Sequence, residues 1–240
     1  MTTVDQDPTA PTPPRAGSAI RTFHPRRGRL SGRHLDALDR LWPRYGLAVP
    51  DGDETPVDPA DLFGRRAPMV LEIGSGMGDA TAAMAAADPG RDYLAAEVHT
   101  PGIANLLALV ERRGLTNVRI ADGDALTLLR RLPEGTLDAV HVFFPDPWPK
   151  ARHHKRRLIQ PRHVALLRSR LAPGGVLHCA TDWAEYAAAM RETLDADPDL
   201  VDARPGDVSR PEHRPVTKFE RRALIAGRPV ADLVYRRQAG

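Results

Sequence analysis

Apolar residues in this chain gather into short blocks of two alternating textures. Met69-Val70-Leu71-Glu72-Ile73, Asp92 to Glu97, Val118 to Ala121, Leu137 to Phe144 and Val176 to Ala180 are near-continuous apolar runs. Their length suits strands buried on both faces. Between them lie helix-forming stretches: Ala80 to Ala87, a segment through Leu106, Leu107 and Val110, Ala125 to Arg131, and Leu158 to Leu171 with apolar Ile159, Val164, Leu167 and Leu171. Strand and helix in alternation predict an α/β fold with a mostly parallel sheet and helices on both faces. A further helix is expected from Trp183, and Val230 to Tyr235 should form a closing strand.

Outside these blocks the pattern weakens. Residues 1–19 are rich in Pro, Thr and Asp, with almost no large apolar side chain, and read as a disordered leader. Residues 20–64 read as a basic arm, a short helix marked by Leu35, Leu38, Leu41 and Trp42 that ends at Pro43 and Gly46, and a polar loop. The main domain is expected over 65–240, with residues 197–215 irregular. The apolar runs are too short to span a bilayer, and Asp5 and Asp7 precede any of them, so neither anchor nor signal peptide is expected. The lone cysteine, Cys179, allows no internal disulfide, suits a reducing cytosol and reads as a small buried strand residue.

The turns between the blocks carry the candidate chemistry. Gly74-Ser75-Gly76-Met77-Gly78 joins the first strand to its helix, a unit that brings backbone N–H groups and a helix N-terminus up to a ligand. Its spacing departs from the dinucleotide pattern Gly-x-Gly-x-x-Gly. With Glu72 two residues earlier, it looks more like the S-adenosylmethionine loop of class I methyltransferases. Glu97 ends the second strand, where an acid can accept hydrogen bonds from ribose hydroxyls. Asp124 follows the third strand and can also cap the next helix. Asp182 follows the fifth, and both a cap and a substrate contact are open to it.

After the fourth strand comes Phe143-Phe144-Pro145-Asp146-Pro147-Trp148-Pro149-Lys150-Ala151-Arg152-His153-His154-Lys155-Arg156-Arg157. Prolines at every second position stop both helix and central strand, leaving a stiff loop beside the first strand, where open α/β sheets bind ligands. The net charge is only +3, but cations cluster at 21–33, 150–157 and 221–222, the footprint of a phosphate or nucleic-acid binder. Arginine supplies nearly all of them; the lysines are Lys150, Lys155 and Lys218. Thr217-Lys218-Phe219-Glu220 has the form of a capping box, with Thr217 capping and Glu220 reaching back.

On these residues the chain resembles the bacterial tRNA (guanine-N7-)-methyltransferases, from about Ile20 to the C-terminus. The most specific parts are Phe143 to Trp148, the basic continuation to Arg157, and Thr217 to Glu220. The resemblance implies a Rossmann-like class I methyltransferase, S-adenosylmethionine as methyl donor, tRNA as partner and a variable-loop guanine as target, in the cytoplasm. It implies a donor site lined by Glu72, Gly74, Gly76, Gly78, Glu97, Asp124 and Asp146, with Asp146 also the catalytic candidate. It places Lys150, Arg152, His153, His154, Lys155, Arg156, Arg157, Asp182, Thr217, Lys218, Phe219 and Glu220 toward the tRNA. Guanine N7 carries a lone pair and no proton, so its methylation needs no general base; Asp146 is expected to orient the guanine edge or the donor, and Trp148 either to brace the loop, the favoured role, or to stack on the flipped base.

Two rivals stay open. A methyltransferase for small molecules or proteins would keep the glycine loop and Glu97 without needing the basic run. A noncatalytic RNA binder would bind tRNA without the donor. No metal site is expected, since His153 and His154 have no matched ligands in the sequence, and the chain is expected as a monomer or a homodimer.

Overall fold

The computed structural model describes residues 21–23 and 28–239. The expected leader, and His24 within the basic arm, lie outside the described residues. Eight strands form one sheet in the order β1-β4-β3-β2-β5-β6-β8-β7. The strands are β1 (Gly46–Val49), β2 (Met69–Ile73), β3 (Asp92–Glu97), β4 (Val118–Gly123), β5 (Leu137–Phe143), β6 (Leu171–Thr181), β7 (Leu200–Asp202) and β8 (Ala231–Arg237). All pairings are parallel except those of β8 with β6 and β7. Two apolar layers cover the two faces.

One layer packs α1 (Gly32–Tyr45), α3 (Asp79–Ala87) and α4 (Thr100–Arg113) through residues such as Met84, Ile103, Leu106 and Val110. The other packs α5 (Ala125–Arg131), α6 (Pro161–Arg170) and α7 (Ala184–Asp195) through Leu128, Leu129, Leu167, Tyr186 and Met190. Two short helices, α2 (Pro59–Phe63) and α8 (Lys218–Ile225), complete the fold. Among the described residues, no helix is long and apolar enough to cross a membrane.

Central elements match the expectation closely: β2, β3 and α5 have the expected bounds, and Cys179 is fully buried. The periphery differs. Helix α1 starts at the Ser31 cap and passes through Pro43 to Tyr45. Burial of Tyr45, flanked by Arg44 and Arg119 at 5.2 and 5.4 Å from its ring, holds the last turn despite the missing donor. Strand β1 then follows, where a loop was expected, and pairs with β4. Gly123 makes that approach possible: its φ is +152°, and a Cβ there would run into the Val49 carbonyl. Residues 197–215, expected to be irregular, contain the edge strand β7.

The sheet reverses direction of growth between β2 and β5. Ile73 registers with Ala96 on one side and Val142 on the other, which brings the ends of β2, β3 and β5 level. This crevice at the carboxyl ends is where such a sheet takes its ligand.

Candidate active site

A cavity of 160 Å³ occupies the crevice, lined by Gly74, Gly76, Glu97, Asp124, Phe143, Phe144, Asp146 and Phe219 among others. The fold thus gathers the glycine turn and three of the four predicted acids around one space. Gly74 and Gly76 have φ of +77° and +59°, and a Cβ on either would meet no protein atom within 4 Å. Backbone angle demands glycine here, and the open space beside it suits a close-lying ligand. Gly78 caps α3 with φ of +77°, packed against Leu106 rather than lining the cavity.

The acids differ in how they are held. Glu97 accepts from the backbone N–H of Gly76 at 2.6 Å, Val98 at 2.8 Å and His99 at 2.9 Å. It therefore fixes the glycine turn to the end of β3, and three of its roughly four acceptor positions are used, leaving about one for a ligand hydroxyl. Asp124 caps α5 by accepting from Leu126 N–H at 2.9 Å and also lines the cavity.

Glu72 lies deeper. It is buried, accepts from the Thr81 hydroxyl and borders a neighbouring space of 310 Å³ with Thr217, Lys218 and Phe219. Burial, with the charge of Glu97 adding to it, pushes its carboxyl up to about 7.

The Pro-Asp-Pro-Trp loop is held in a strained path. Phe144 and Trp148, each followed by proline, have φ of +53° and +46°, a conformation that costs on the order of 1–3 kcal/mol per residue. Their surroundings enforce it. Trp148 is 3% exposed, donates from its indole N–H to the Thr22 carbonyl at 3.3 Å and lies under the Arg156 guanidinium at 3.9 Å. It braces the loop, as expected. Phe144 stacks on Phe219 at 6.0 Å, and beneath Phe143 and Phe144 lies Arg214, 5.7 Å from each ring.

Arg214 is the residue the sequence reading missed. It is fully buried and bonds Asp232 with two nitrogens at 2.6 and 2.8 Å and Glu220 with a third at 2.7 Å. Glu220 consequently does not reach back to the cap. Thr217 does cap α8, accepting from Glu220 N–H at 3.1 Å, but the Glu220 carboxylate is spent on Arg214 and on Arg210 at 3.3 Å. Burial would push Asp232 up, but the bonds from His178 and Arg214 outweigh it and hold the carboxyl below its ordinary range.

The basic segment divides. Ala151–Arg156 forms a 3₁₀ turn in which Arg152 and Lys155, like the preceding Lys150, are exposed, while His153, His154 and Arg156 are half-buried. Arg157 departs from the expected phosphate-facing position. It is 4% exposed, donates to the Pro147 carbonyl at 3.0 Å, forms a bidentate pair with Glu185 and lies over the Tyr186 ring at 4.6 Å. The reason is geometric: the turn ends at Arg157, which aims its side chain back under the loop. Asp182 does not cap α7, whose N-cap residue is Trp183 and which has no side-chain cap; Thr181 accepts from the Trp183 N–H at 3.2 Å, and Asp182 pairs with Arg228 at 2.8 Å. Lys218 stays half-buried, its ammonium 5.3 Å from the Phe219 ring at the cavity edge.

Away from this crevice the fold also assembles three histidines, His141, His178 and His213, which no local sequence pattern connects.

Comparison with known proteins narrows the meaning of the site. A family model described as "Putative methyltransferase" matches residues 66–233. The tRNA (guanine-N(7)-)-methyltransferase of Streptomyces coelicolor is 54% identical over 241 residues, covering 96% of this chain and 88% of that protein. The protein of the same name from Nitrosospira multiformis is 52% identical, covering 92% and 96% respectively. Among solved structures, the 16S rRNA methyltransferase KamB superposes with a TM-score of 0.51 at 19% identity over 80% of this chain and 99% of its own. TrmN from Thermus thermophilus does so with 0.51 at 17% over 74% and 46%. At such identities these two speak to the fold alone.

Proposed function

From a chain that belongs to the tRNA (guanine-N(7)-)-methyltransferase family, we infer an enzyme that transfers a methyl group from S-adenosylmethionine to N7 of a guanine in tRNA. The observation that carries the assignment of residues is the meeting of the glycine turn, Glu97, Asp124 and Asp146 around one cavity, with the basic turn next to it. The finer target, a guanine of the variable loop, comes from the resemblance.

The residues present fit the donor. Gly74 and Gly76 leave open space beside the backbone, Glu97 has an acceptor position left for a ribose hydroxyl, and Asp124 stands at the end of β4 for the adenine amino group. Glu72 and Gly78 support this wall from behind. When bound, S-adenosylmethionine supplies an electrophilic methyl group on a sulfonium. The chain's own residues then have positioning and electrostatic work only, because the accepting nitrogen carries no proton. Asp146 accepts hydrogen bonds from the guanine edge and offsets the positive charge that grows on the ring.

Outside the cavity, Lys150, Arg152, Lys155 and Arg156, with His153 and His154, face phosphates; Lys218, Phe219 and Thr217 form the far wall near the base. Asp182, Glu220 and Arg157 act from behind through Arg228, Arg214 and Glu185. A base in a folded tRNA must leave its stack to reach such a cavity. The same reading places the enzyme in the cytoplasm, as a monomer or a homodimer.

The test is incubation with labelled methyl donor and unmodified total tRNA, followed by mapping of the modified base. Label at N7 of a single variable-loop guanine is expected; label on protein or small molecules only, or none, would overturn the reading.

A further inference from the structure

Behind the active-site loop, on the α3 side of the sheet, the fold brings together three imidazoles from distant parts of the chain. His141 sits on β5, His178 faces it from β6 in register, and His213 descends from the segment before α8. One ring nitrogen of each lies within 4.8 Å of one from the other two. His178 Nδ1 and His213 Nε2 are 3.2 Å apart. Two nitrogens on one tetrahedral zinc ion stand ~3.4 Å apart, so this pair is already at ligand spacing, and the whole set is within about 1.5 Å of it.

Two further observations point to a ligand. His141 is 5% exposed, and its Nδ1 is buried without a hydrogen-bond partner, an expensive state for a polar atom in a core. His178 bonds Asp232 through Nε2 at 2.7 Å, which fixes the ring with Nδ1 turned toward His213, the carboxylate–histidine arrangement that supports metal ligands.

We propose that His141, His178 and His213 form a binding site for one divalent transition cation of the zinc class, which fastens the 203–217 segment to the sheet. Neutral imidazoles are the ligands such ions favour. Burial lowers the proton affinity of all three rings, keeping their lone pairs available. Two of the nearby arginines are matched by carboxylates, while Arg236, which lines the same cavity, donates to the Gly174 carbonyl at 2.8 Å. Arg214 is matched by Asp232 and Glu220, and Arg91 by Asp138 at 2.6 Å and Asp88 at 3.2 Å. His141 and His213 line a cavity of 450 Å³, which gives an ion a way in and room for a water as fourth ligand.

The consequence reaches the active site. His213 immediately precedes Arg214, and His141 stacks on Phe143 at 5.0 Å, so an ion held here restrains both the arginine under the loop and the ring that lines the donor cavity.

The test uses the full chain stripped of metal by a chelator, then titrated with Zn²⁺ alone. Retained zinc is measured after gel filtration, and Tm is recorded. One zinc per chain is expected, with Tm raised by about 5–10 °C at hundredfold excess over Kd. His213→Ala, at an exposed position, and His141→Phe, which fills the site with an apolar ring of similar size, should fold and lose both effects. His34→Ala, in the first turn of α1 and outside the cluster, should retain both. Absence of zinc retention by the unsubstituted chain, retention by His141→Phe or His213→Ala equal to it, or loss in His34→Ala would each overturn the proposal.

Discussion

Replacing Arg214 with methionine isolates the contact that joins the C-terminal part of the chain to the active-site loop. The substitution keeps an unbranched apolar stem and removes the guanidinium, which is fully buried and bonded to two carboxylates. Asp232 would retain only His178, and Glu220 only Arg210 at 3.3 Å, a partner that is itself 37% exposed.

Removing one partner from a buried ionic cluster costs about 3–5 kcal/mol, because the remaining charge stays desolvated. Against a total stability on the order of 5–15 kcal/mol, that is a large share. For a chain of this size each kcal/mol moves Tm by about 2–4 °C, so Tm should fall by roughly 6–20 °C. Thermal unfolding monitored by circular dichroism reads the loss directly.

A cycle with Asp232→Asn sharpens it. Once Arg214 is gone, neutralising Asp232 should cost clearly less than in the unsubstituted chain. A Tm within 2 °C of the unsubstituted chain's, or strictly additive losses, would refute the account of Arg214 as the hub.

Other substitutions test separate parts of the site. Asp146→Ala should abolish methyl transfer to tRNA while leaving Tm unchanged within about 2 °C; full activity would remove Asp146 from the mechanism. Glu72 has a folded-state value of about 7 against an ordinary 4.5, so it binds a proton more tightly when folded. Its contribution is fully present below pH 4.5 and lost as pH rises through 7, about 3 kcal/mol in all. Glu72→Gln should therefore flatten Tm against pH between 4.5 and 7, and an unchanged slope would count against it. Neutralising Arg152, Lys155 and Arg156 together should weaken tRNA binding and lower the slope of log K against log salt by roughly 2–3, whereas Arg157→Gln should mainly lower Tm. Equal salt effects for both variants would contradict the burial of Arg157.

Local pattern was enough for the parallel core. Runs such as Met69 to Ile73 and Asp92 to Glu97 are apolar on both faces because both faces of those strands are covered, so the environment is written into consecutive residues. The glycine turn and the prolines of the loop were equally legible, since each is a constraint on its own backbone. Edge strands β1 and β7, of four and three residues, are too short to show a period, and only their pairing with β4 and β8 defines them.

Charged residues were where local reading failed. Arg156 and Arg157 are adjacent and alike in sequence, yet one stacks on the Trp148 ring and the other is buried against Glu185. Glu220 looked like the second half of a capping box until Arg214 claimed it. A charge or an imidazole takes its role from the partner it meets, and these partners lie 6 residues away for Glu220, 28 for Arg157 and 54 for His178 with Asp232. The sequence alone therefore determined the parallel core of the sheet, the glycine turn and the family, because these rest on short-range periodicity, backbone constraint and local motifs. Tertiary structure decided which cations face outward, what holds the strained loop and where the histidines meet, because those depend on contacts between residues far apart in the chain.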